Sequence, residues 1–398
     1  MKKTIKDFDL EGKRVIIRCD LNVPMNNGVI EDDTRIKASI RTIKYAIKHN
    51  AKVILLSHLG KVKEEKDKKD NSLYPVSFRL SNYLGKEVKF SFCTSGPNLK
   101  KEVDNLNNGD VLLVENTRFE DLNGKKESNC NLNLARSWAS CGDIYINDAY
   151  GSCHRSHASV TGIPKYLPSG IGFLVEKEIK KIDSVLSSGT HPFITILGGK
   201  KVDDKITLIE SLVKTSDKLI IGGAMSFTFQ KALGYNVGAS IVSDDHLDFA
   251  KEMLSKYKGK IVLPKDYVIE TKDKEVVTKN IEDFDSDDVG YDIGPKTIKL
   301  FEKEIEVGRR VILNGPMGMF EDKRFRKGTD KVFKILAKNK IKTVVGGGDS
   351  ASAAEKLGYS EAFYHISTGG GATMKYLEDR TLPGIEVIED KKEEVNEK

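Results

Sequence analysis

Short uninterrupted apolar runs alternate with stretches whose apolar residues recur every three or four positions, along nearly the whole of the 398-residue chain. Arg14 to Cys19, Lys52 to Ser57, Val88 to Phe92, Val111 to Val114 and Asp143 to Asn147 are runs of the first kind and predict strands. Their continuous apolar character suits a parallel sheet covered on both faces. Between the first two, Ile36, Ile40, Ile43 and Ile47 step by four, three and four residues, the spacing of an amphipathic helix. Pro75 opens a further helix that Gly85 ends. The pattern breaks from Gly162 to Gly172, where Pro164 and Pro168 fall among glycines. A long helix follows, marked by Val175, Ile179, Ile182 and Leu186, and then the alternation restarts. Strands are expected over 193–197, 218–221, 260–263, 310–313, 342–345 and 363–366. Strand–helix alternation on both sides of a break predicts an α/β chain of two lobes, each a mostly parallel sheet covered by helices, with a helix joining them. The first domain is expected over 1–170 and the second over 171–379; the charged tail from Glu389 reads as solvated.

Composition narrows this picture without redirecting it. With 39% hydrophobic and 31% charged residues the chain is able to bury a core. No apolar run approaches the ~18 residues of a membrane helix. Met1 to Gly12 has no apolar h-region, so neither membrane nor secretion is expected, and the cytoplasm is the expected location. The five cysteines are odd in number and lack C-x-x-C spacing, which favours reduced thiols over a disulfide framework or a zinc site. His154 and His157 form an H-x-x-H without the glutamate of a zinc-protease motif, and no metal is expected there. The net charge of +6 is spread among interleaved acids, and the dense run Lys61 to Asp70 mixes both signs. It reads as a solvated loop, and the balance suits small anionic substrates better than nucleic acid.

The candidate chemistry lies where strands end, because ligands of open α/β sheets bind outside the carboxyl ends of strands. In the first half those exits carry Arg18-Cys19-Asp20-Leu21-Asn22, Ser57-His58-Leu59-Gly60-Lys61, Glu115-Asn116-Thr117-Arg118 and Asp148 to Arg155, with Arg35 just before the first helix. A converging basic cluster for a small, multiply charged anion competes here with a set of separate surface ion pairs. In the second half the exits carry glycine: Gly198-Gly199, Gly222-Gly223, Gly315, Gly346-Gly347-Gly348 and Gly369 to Gly371. Backbone lining of a phosphate-rich ligand, a nucleotide, is the natural expectation, and Asp349 is a carboxylate placed to hold Mg²⁺. Gly198-Gly199-Lys200-Lys201 followed by Lys205 reads either as a polyphosphate cradle at a strand-to-helix turn or as a tight turn with solvated lysines. On a helical turn Lys201 and Lys205 point the same way, whereas Lys200 diverges from Lys201 and is expected to be functionally silent. No Walker A motif occurs. Gly346, Gly348 and Ala351 fit G-x-G-x-x-A after a strand, but the next strand ends in Ser367-Thr368 with no carboxylate for a ribose, which weighs against an NAD-dependent dehydrogenase. Arginines facing lysines and a nucleotide form the inventory of phosphoryl transfer.

At these residues the chain resembles the phosphoglycerate kinase family. The resemblance runs through RCDLNVP (18–24), DDTRI (32–36), SHLG (57–60), ENTRF (115–119), NDAYG (147–151), HRSH (154–157), LGGKKVDDKI (197–206), DIGPKT (292–297), NGPMGMFE (314–321), GGGDS (346–350) and STGGGA (367–372). It implies two Rossmann-like lobes and reversible, Mg²⁺-dependent transfer of phosphate between ATP and the carboxylate of 3-phosphoglycerate, giving 1,3-bisphosphoglycerate and ADP. By position, Asp20, Leu21, Asn22, Arg35, His58, Leu59, Gly60, Lys61, Arg118 and Arg155 are expected to bind 3-phosphoglycerate. Gly199, Lys201, Lys205, Gly223, Gly290, Asn314, Pro316, Glu321 and the loop Gly346, Gly347, Gly348, Asp349, Ser350 are expected to bind the nucleotide. Arg35, Lys201 and Lys205 are the expected catalytic residues and Asp349 the metal ligand. The resemblance also implies a monomer whose tail, 380–398, packs back on the first domain. Three positions depart from the family: Lys61-Val62 stands where Arg-Pro is usual, Lys200 where a small residue is usual, and Leu313 where Trp is usual.

Overall fold

The structure, a computed structural model, describes residues 1–391 other than Asn123, Ser188 and Lys340. The chain divides into two compact units, Met1–Ile179 with the segment from Thr381, and Lys180–Arg380. The division falls inside one helix, Phe173–Leu186.

The first unit is built on six strands, β1 (Arg14–Cys19), β2 (Lys52–Leu56), β3 (Lys89–Ser91), β4 (Val111–Val114), β5 (Ile144–Asp148) and β6 (Ser169–Ile171), in the order β3-β4-β2-β1-β5-β6. All neighbours are parallel, with Ile16 opposite both Ile54 and Tyr145. Each strand of a parallel sheet is buried on both faces, and every residue of β4 and β5 is buried. Helix α1 (Thr34–Lys48) buries Ile36, Ile43 and Ala46, with Ile40 and Ile47 packed against the same core. Helix α2 (Tyr74–Leu84) has Pro75 in its first turn and closes on Gly85 at φ 67°. The final segment is tied to this unit: Asn147 Nδ2 donates to Gly384 O at 2.9 Å and Lys3 N to Glu389 O at 2.8 Å. Residues 392–398 of the expected tail lie outside the described residues.

The second unit carries β7 (Phe193–Leu197), β8 (Lys218–Ile221), β9 (Ile261–Val262), β10 (Asp266–Glu270), β11 (Val276–Asn280), β12 (Val289–Ile293), β13 (Arg310–Asn314), β14 (Lys342–Gly346) and β15 (His365–Ile366). Six of them form a parallel sheet in the order β9-β8-β7-β13-β14-β15; the other three form an antiparallel sheet, β11-β10-β12. Counted within its own unit, the parallel sheet reads 3-2-1-4-5-6, the doubly wound dinucleotide-fold order. Strand direction of travel reverses between β7 and β13, so the crevice outside their carboxyl ends is the expected ligand site. In the first unit the corresponding reversal lies between β1 and β5. Among the described residues no helix is long and apolar enough to cross a membrane.

Candidate active site

In the first unit the residues after β1, β2, β4 and β5 are held by a buried polar frame. Asn116 accepts from Leu59 N at 3.1 Å and from Arg118 N at 3.0 Å, which ties the exits of β2 and β4 together. Asn22 Oδ1 accepts from Gly60 N at 2.8 Å, and Ser57 Oγ accepts from Leu21 N at 2.9 Å. Leu21 and Leu59 bury their side chains in the core, so their backbone is what faces outward from these loops. Gly60 lies at φ 60°, and a Cβ there would collide with the Asn71 amide, so the turn requires glycine. Arg35 Nη1 reaches both oxygens of Asp20 at 2.9 Å.

His58, Arg118, His154, Arg155 and His157 form one electrostatic cluster. Burial, and then Arg18, Arg118, His157 and Arg155, hold His58 well below the ordinary histidine range. Burial and the same arginines bring His157 down to about 3. Burial lowers His154 too, with Arg155 adding to it, and burial lowers Arg118, again with Arg155 next in effect. Arg118 Nε, His154 Nδ1 and His157 Nδ1 are buried with no hydrogen-bond partner. The histidines are therefore neutral, and the charge of the cluster is that of Arg118 and Arg155, set beside unpartnered buried nitrogens, an arrangement suited to an anion. Arg18 is not part of the open cluster that its position at a strand exit suggested. It is fully buried, donates from Nε to Ser159 Oγ at 2.8 Å and from Nη2 to His58 Nδ1 at 3.3 Å, and lies 4.0 Å from Glu127. An arginine has no acceptor to offer, so His58 Nδ1 must accept, leaving its Nε2–H as the donor. Lys61 is exposed, and among the described residues no hydrogen bond or ion pair engages it.

The second unit has two adjoining cavities at the predicted reversal point. One, of about 460 Å³, is walled by Ile241, Val289, Tyr291, Pro316, Met319 and Phe320, with Gly199, Gly223, Gly290, Glu321 and Asp349 also lining it. The other, of about 220 Å³, is lined by Lys201, Lys205, Asn314, Gly347, Gly348, Asp349 and Ser350. Gly199, Lys200 and Asp349 line both. The small cavity receives the N-terminus of the helix Gly348–Lys356, whose first N–H groups favour phosphate. Lys205 is buried and bonds Asn314 Oδ1; burial pulls its ammonium down to about 8 against the opposing pull of Asp349 and Asp204. Ser350 Oγ accepts from Gly315 N at 2.6 Å and so holds the loop after β13.

Three expectations change here. The lysines do not sit on a helical turn: β7 ends at Leu197, a short 3₁₀ turn begins only at Asp203 and the helix at Ile206. Lys201 is exposed whereas Lys205 is buried, so equal spacing does not give them equal surroundings. Gly198 lines neither cavity and serves loop-on-loop packing, since a Cβ on it would collide with Pro316 backbone; Gly223 lines the larger cavity and is also packed against Gly199 backbone. Gly346 lines neither cavity; its Cβ position lies 3.1 Å from Thr373 Cγ2. The apolar wall was missed because Val289 lies on, and Tyr291 within, β12 of the antiparallel sheet, which the alternation of apolar runs did not reveal. Met319 and Phe320, large apolar residues in an exit loop, were the available signal.

Among the described residues no cluster of three or more His, Cys, Asp or Glu side chains is disposed to hold a metal. One exposed carboxylate, Asp349, beside a phosphate-sized cavity fits Mg²⁺, which is commonly held through one or two carboxylates, substrate phosphates and waters.

A basic cluster on one α/β unit and a lysine-lined pair of cavities on the other suit a phosphotransferase. A model of the family described as phosphoglycerate kinase matches residues 5–380. The chain is 50% identical over 398 residues to the phosphoglycerate kinase of Fusobacterium nucleatum, covering 98% of this chain and all of that one. It is also 50% identical to that of Listeria innocua over 394 residues, again 98% of this chain and all of the relative. The solved phosphoglycerate kinase of Coxiella burnetii superposes with a TM-score of 0.88 at 34% identity, over 97% of this chain and 98% of that one. That of Pyrococcus horikoshii gives 0.82 at 30% identity, with the same coverage of both chains. This chain belongs to the phosphoglycerate kinase family. It is accordingly a kinase that phosphorylates a carboxyl group, in the glycolytic phosphoryl transfer of that family, and not a dehydrogenase.

Proposed function

We propose that the second unit binds ATP or ADP with Mg²⁺ and the first binds 3-phosphoglycerate or 1,3-bisphosphoglycerate, each through the residues assembled above. The observation that carries this reading is the pair of adjoining cavities at the β7/β13 crevice, one largely apolar, the other lined by lysines and a helix N-terminus. The apolar cavity takes base and ribose, with Glu321 beside the ribose. The small cavity takes the phosphates, with Lys201, Lys205, Asn314 and the N–H groups of Gly348 and neighbouring residues around them. Asp349 holds the metal, which neutralises phosphate charge when bound.

In the forward direction an acceptor carboxylate oxygen forms a bond to the γ-phosphorus as the bond to the β,γ-bridging oxygen breaks, and the electron pair leaves on ADP. Little general acid–base work is needed; the protein positions the reactants and stabilises charge. Arg118 and Arg155 hold the acceptor's phosphate, with neutral His58 donating from Nε2. Arg35, oriented by Asp20, and Lys201 neutralise the transferring group. The enzyme works as a cytoplasmic monomer, a setting that suits its five free thiols, and binds neither nucleic acid nor membrane. A coupled assay with ATP and 3-phosphoglycerate tests the whole reading, and no turnover overturns it.

A further inference from the structure

Lys200 lines both cavities of the second unit. Of the three lysines around the nucleotide site, only Lys200 reaches the apolar cavity as well as the polar one; Lys201 and Lys205 line the polar one alone. Its ammonium is exposed, and among the described residues no hydrogen bond or ion pair engages it. Lys205, by contrast, is already committed to Asn314. A nucleotide is a linear sequence of base, ribose, then α-, β- and γ-phosphate. With base and ribose in the apolar cavity and the outer phosphates in the polar one, the group at the junction is the α-phosphate. Gly199 beside it lies at φ 103°, a backbone conformation that favours glycine, and its Cβ position is 3.6 Å from Lys205 Cε, an ordinary van der Waals contact.

We infer that Lys200 is an additional nucleotide-binding residue of this enzyme, pairing with the α-phosphate that ATP and ADP share. This rests on the reading of the second unit as the nucleotide site. It replaces the expectation, drawn from the divergence of neighbouring side chains, that Lys200 is silent: divergence from Lys201 sends Lys200 to a different phosphate, not away from the ligand. Because the α-phosphate is present on both sides of the reaction, the contact strengthens substrate and product nucleotide alike. It therefore shifts the nucleotide Michaelis constant and leaves kcat little changed.

The test is calorimetric titration of the full chain and of Lys200→Ala with adenosine, AMP and ADP, alongside steady-state kinetics with ATP. Affinity for AMP and ADP is expected to fall about three- to fivefold in Lys200→Ala, the upper range for an exposed ion pair. Adenosine affinity is expected to be unchanged, the Michaelis constant for ATP to rise by the same factor, that for 3-phosphoglycerate to stay put, and Lys200→Arg to restore binding. Unchanged AMP and ADP affinities overturn the inference while leaving the nucleotide site intact. Equal weakening of adenosine also overturns it, since the effect would then lie on the base or the fold. Failure of the unsubstituted chain to bind ADP overturns the nucleotide site itself, and the inference with it.

Discussion

Lys205 and Lys201 stand four residues apart and meet opposite surroundings. Lys205 is buried against Asn314 with its ammonium lowered to about 8, chiefly by loss of solvent; Lys201 is exposed in the loop before it. A cation fixed in place before the ligand arrives contributes to ground-state binding, whereas one free to follow a moving phosphoryl group contributes in the transition state. Lys205→Ala is therefore expected mainly to raise the nucleotide Michaelis constant. Lys201→Ala is expected to lower kcat on the order of 10²–10⁴ with little change in either Michaelis constant, and steady-state kinetics on both variants decides. The low position of Lys205 has a consequence in pH. Bound phosphate favours the charged ammonium, so its pKa rises in the complex, and binding above about 8 must take up a proton. Nucleotide affinity is then expected to fall as pH rises through about 8, and to lose that dependence in Lys205→Arg. Titrations with ADP from pH 7 to 9.5 check it; a flat profile in the unsubstituted enzyme contradicts it. Both lysines were legible in the sequence, and the family resemblance implied different roles for them, but their difference in burial was not legible. Burial of Lys205 depends on Asn314, 109 residues further on, and no local spacing records that.

The helix Phe173–Leu186 shows the same limit at the scale of an element. Its apolar steps at Val175, Ile179, Ile182 and Leu186 were plain in the sequence, but what holds its ends was not. At the start, Asp148 accepts from Leu174 N at 2.8 Å, and a Cβ on Gly172 would collide with that carboxylate. At the finish, the buried Arg310 donates to Leu186 O at 2.9 Å and also to Val185 O. A carboxylate at the N-terminus and a guanidinium at the C-terminus both complement the helix dipole. The main parallel strands were legible because burial on both faces leaves continuous apolar runs. The antiparallel strands β10 to β12 were not: β11 has no fully buried residue and reads Val-Val-Thr-Lys-Asn, without a continuous apolar run. Asp148 carries a prediction about the helix start. Burial raises it from the usual carboxylate range to about 7, against the hydrogen bonds from Thr42, Leu174 and Val175. In the unfolded chain it has lost its proton well below that pH, so between about pH 4 and 7 the folded state holds more protons at this site. Its contribution to stability falls as pH rises across that window. Asp148→Asn keeps an acceptor for the helix and removes the titration. The variant's melting temperature relative to the unsubstituted enzyme is therefore expected to be higher at pH 7 than at pH 5; a constant difference would show that Asp148 is already ionised throughout.

At the scale of the molecule, the division into two α/β units was readable because the alternation of runs breaks around Gly162–Gly172 and restarts. Strand order was not, since it depends on which side each crossover takes. That order matters: it puts the lysine-lined cavities outside β7 and β13 and the arginine cluster outside β1 and β5, on separate units. In-line phosphoryl transfer needs the attacking and accepting atoms roughly 3–3.5 Å apart, with water excluded. On the proposed assignment each unit carries one reactant, so transfer requires the two ligands to be brought together. In the first unit a bound anion also relieves the crowding of Arg118 and Arg155. Small-angle scattering is thus expected to show a smaller radius of gyration with a non-hydrolysable ATP analogue and 3-phosphoglycerate together than with either alone. Arg118→Gln, which weakens the acceptor site without touching the nucleotide cavities, is expected to abolish the extra compaction at 3-phosphoglycerate concentrations that saturate the unsubstituted enzyme. Equal radii in all ligand states would mean that the units meet without help from substrate, and closure could then not be the step that commits the enzyme to transfer.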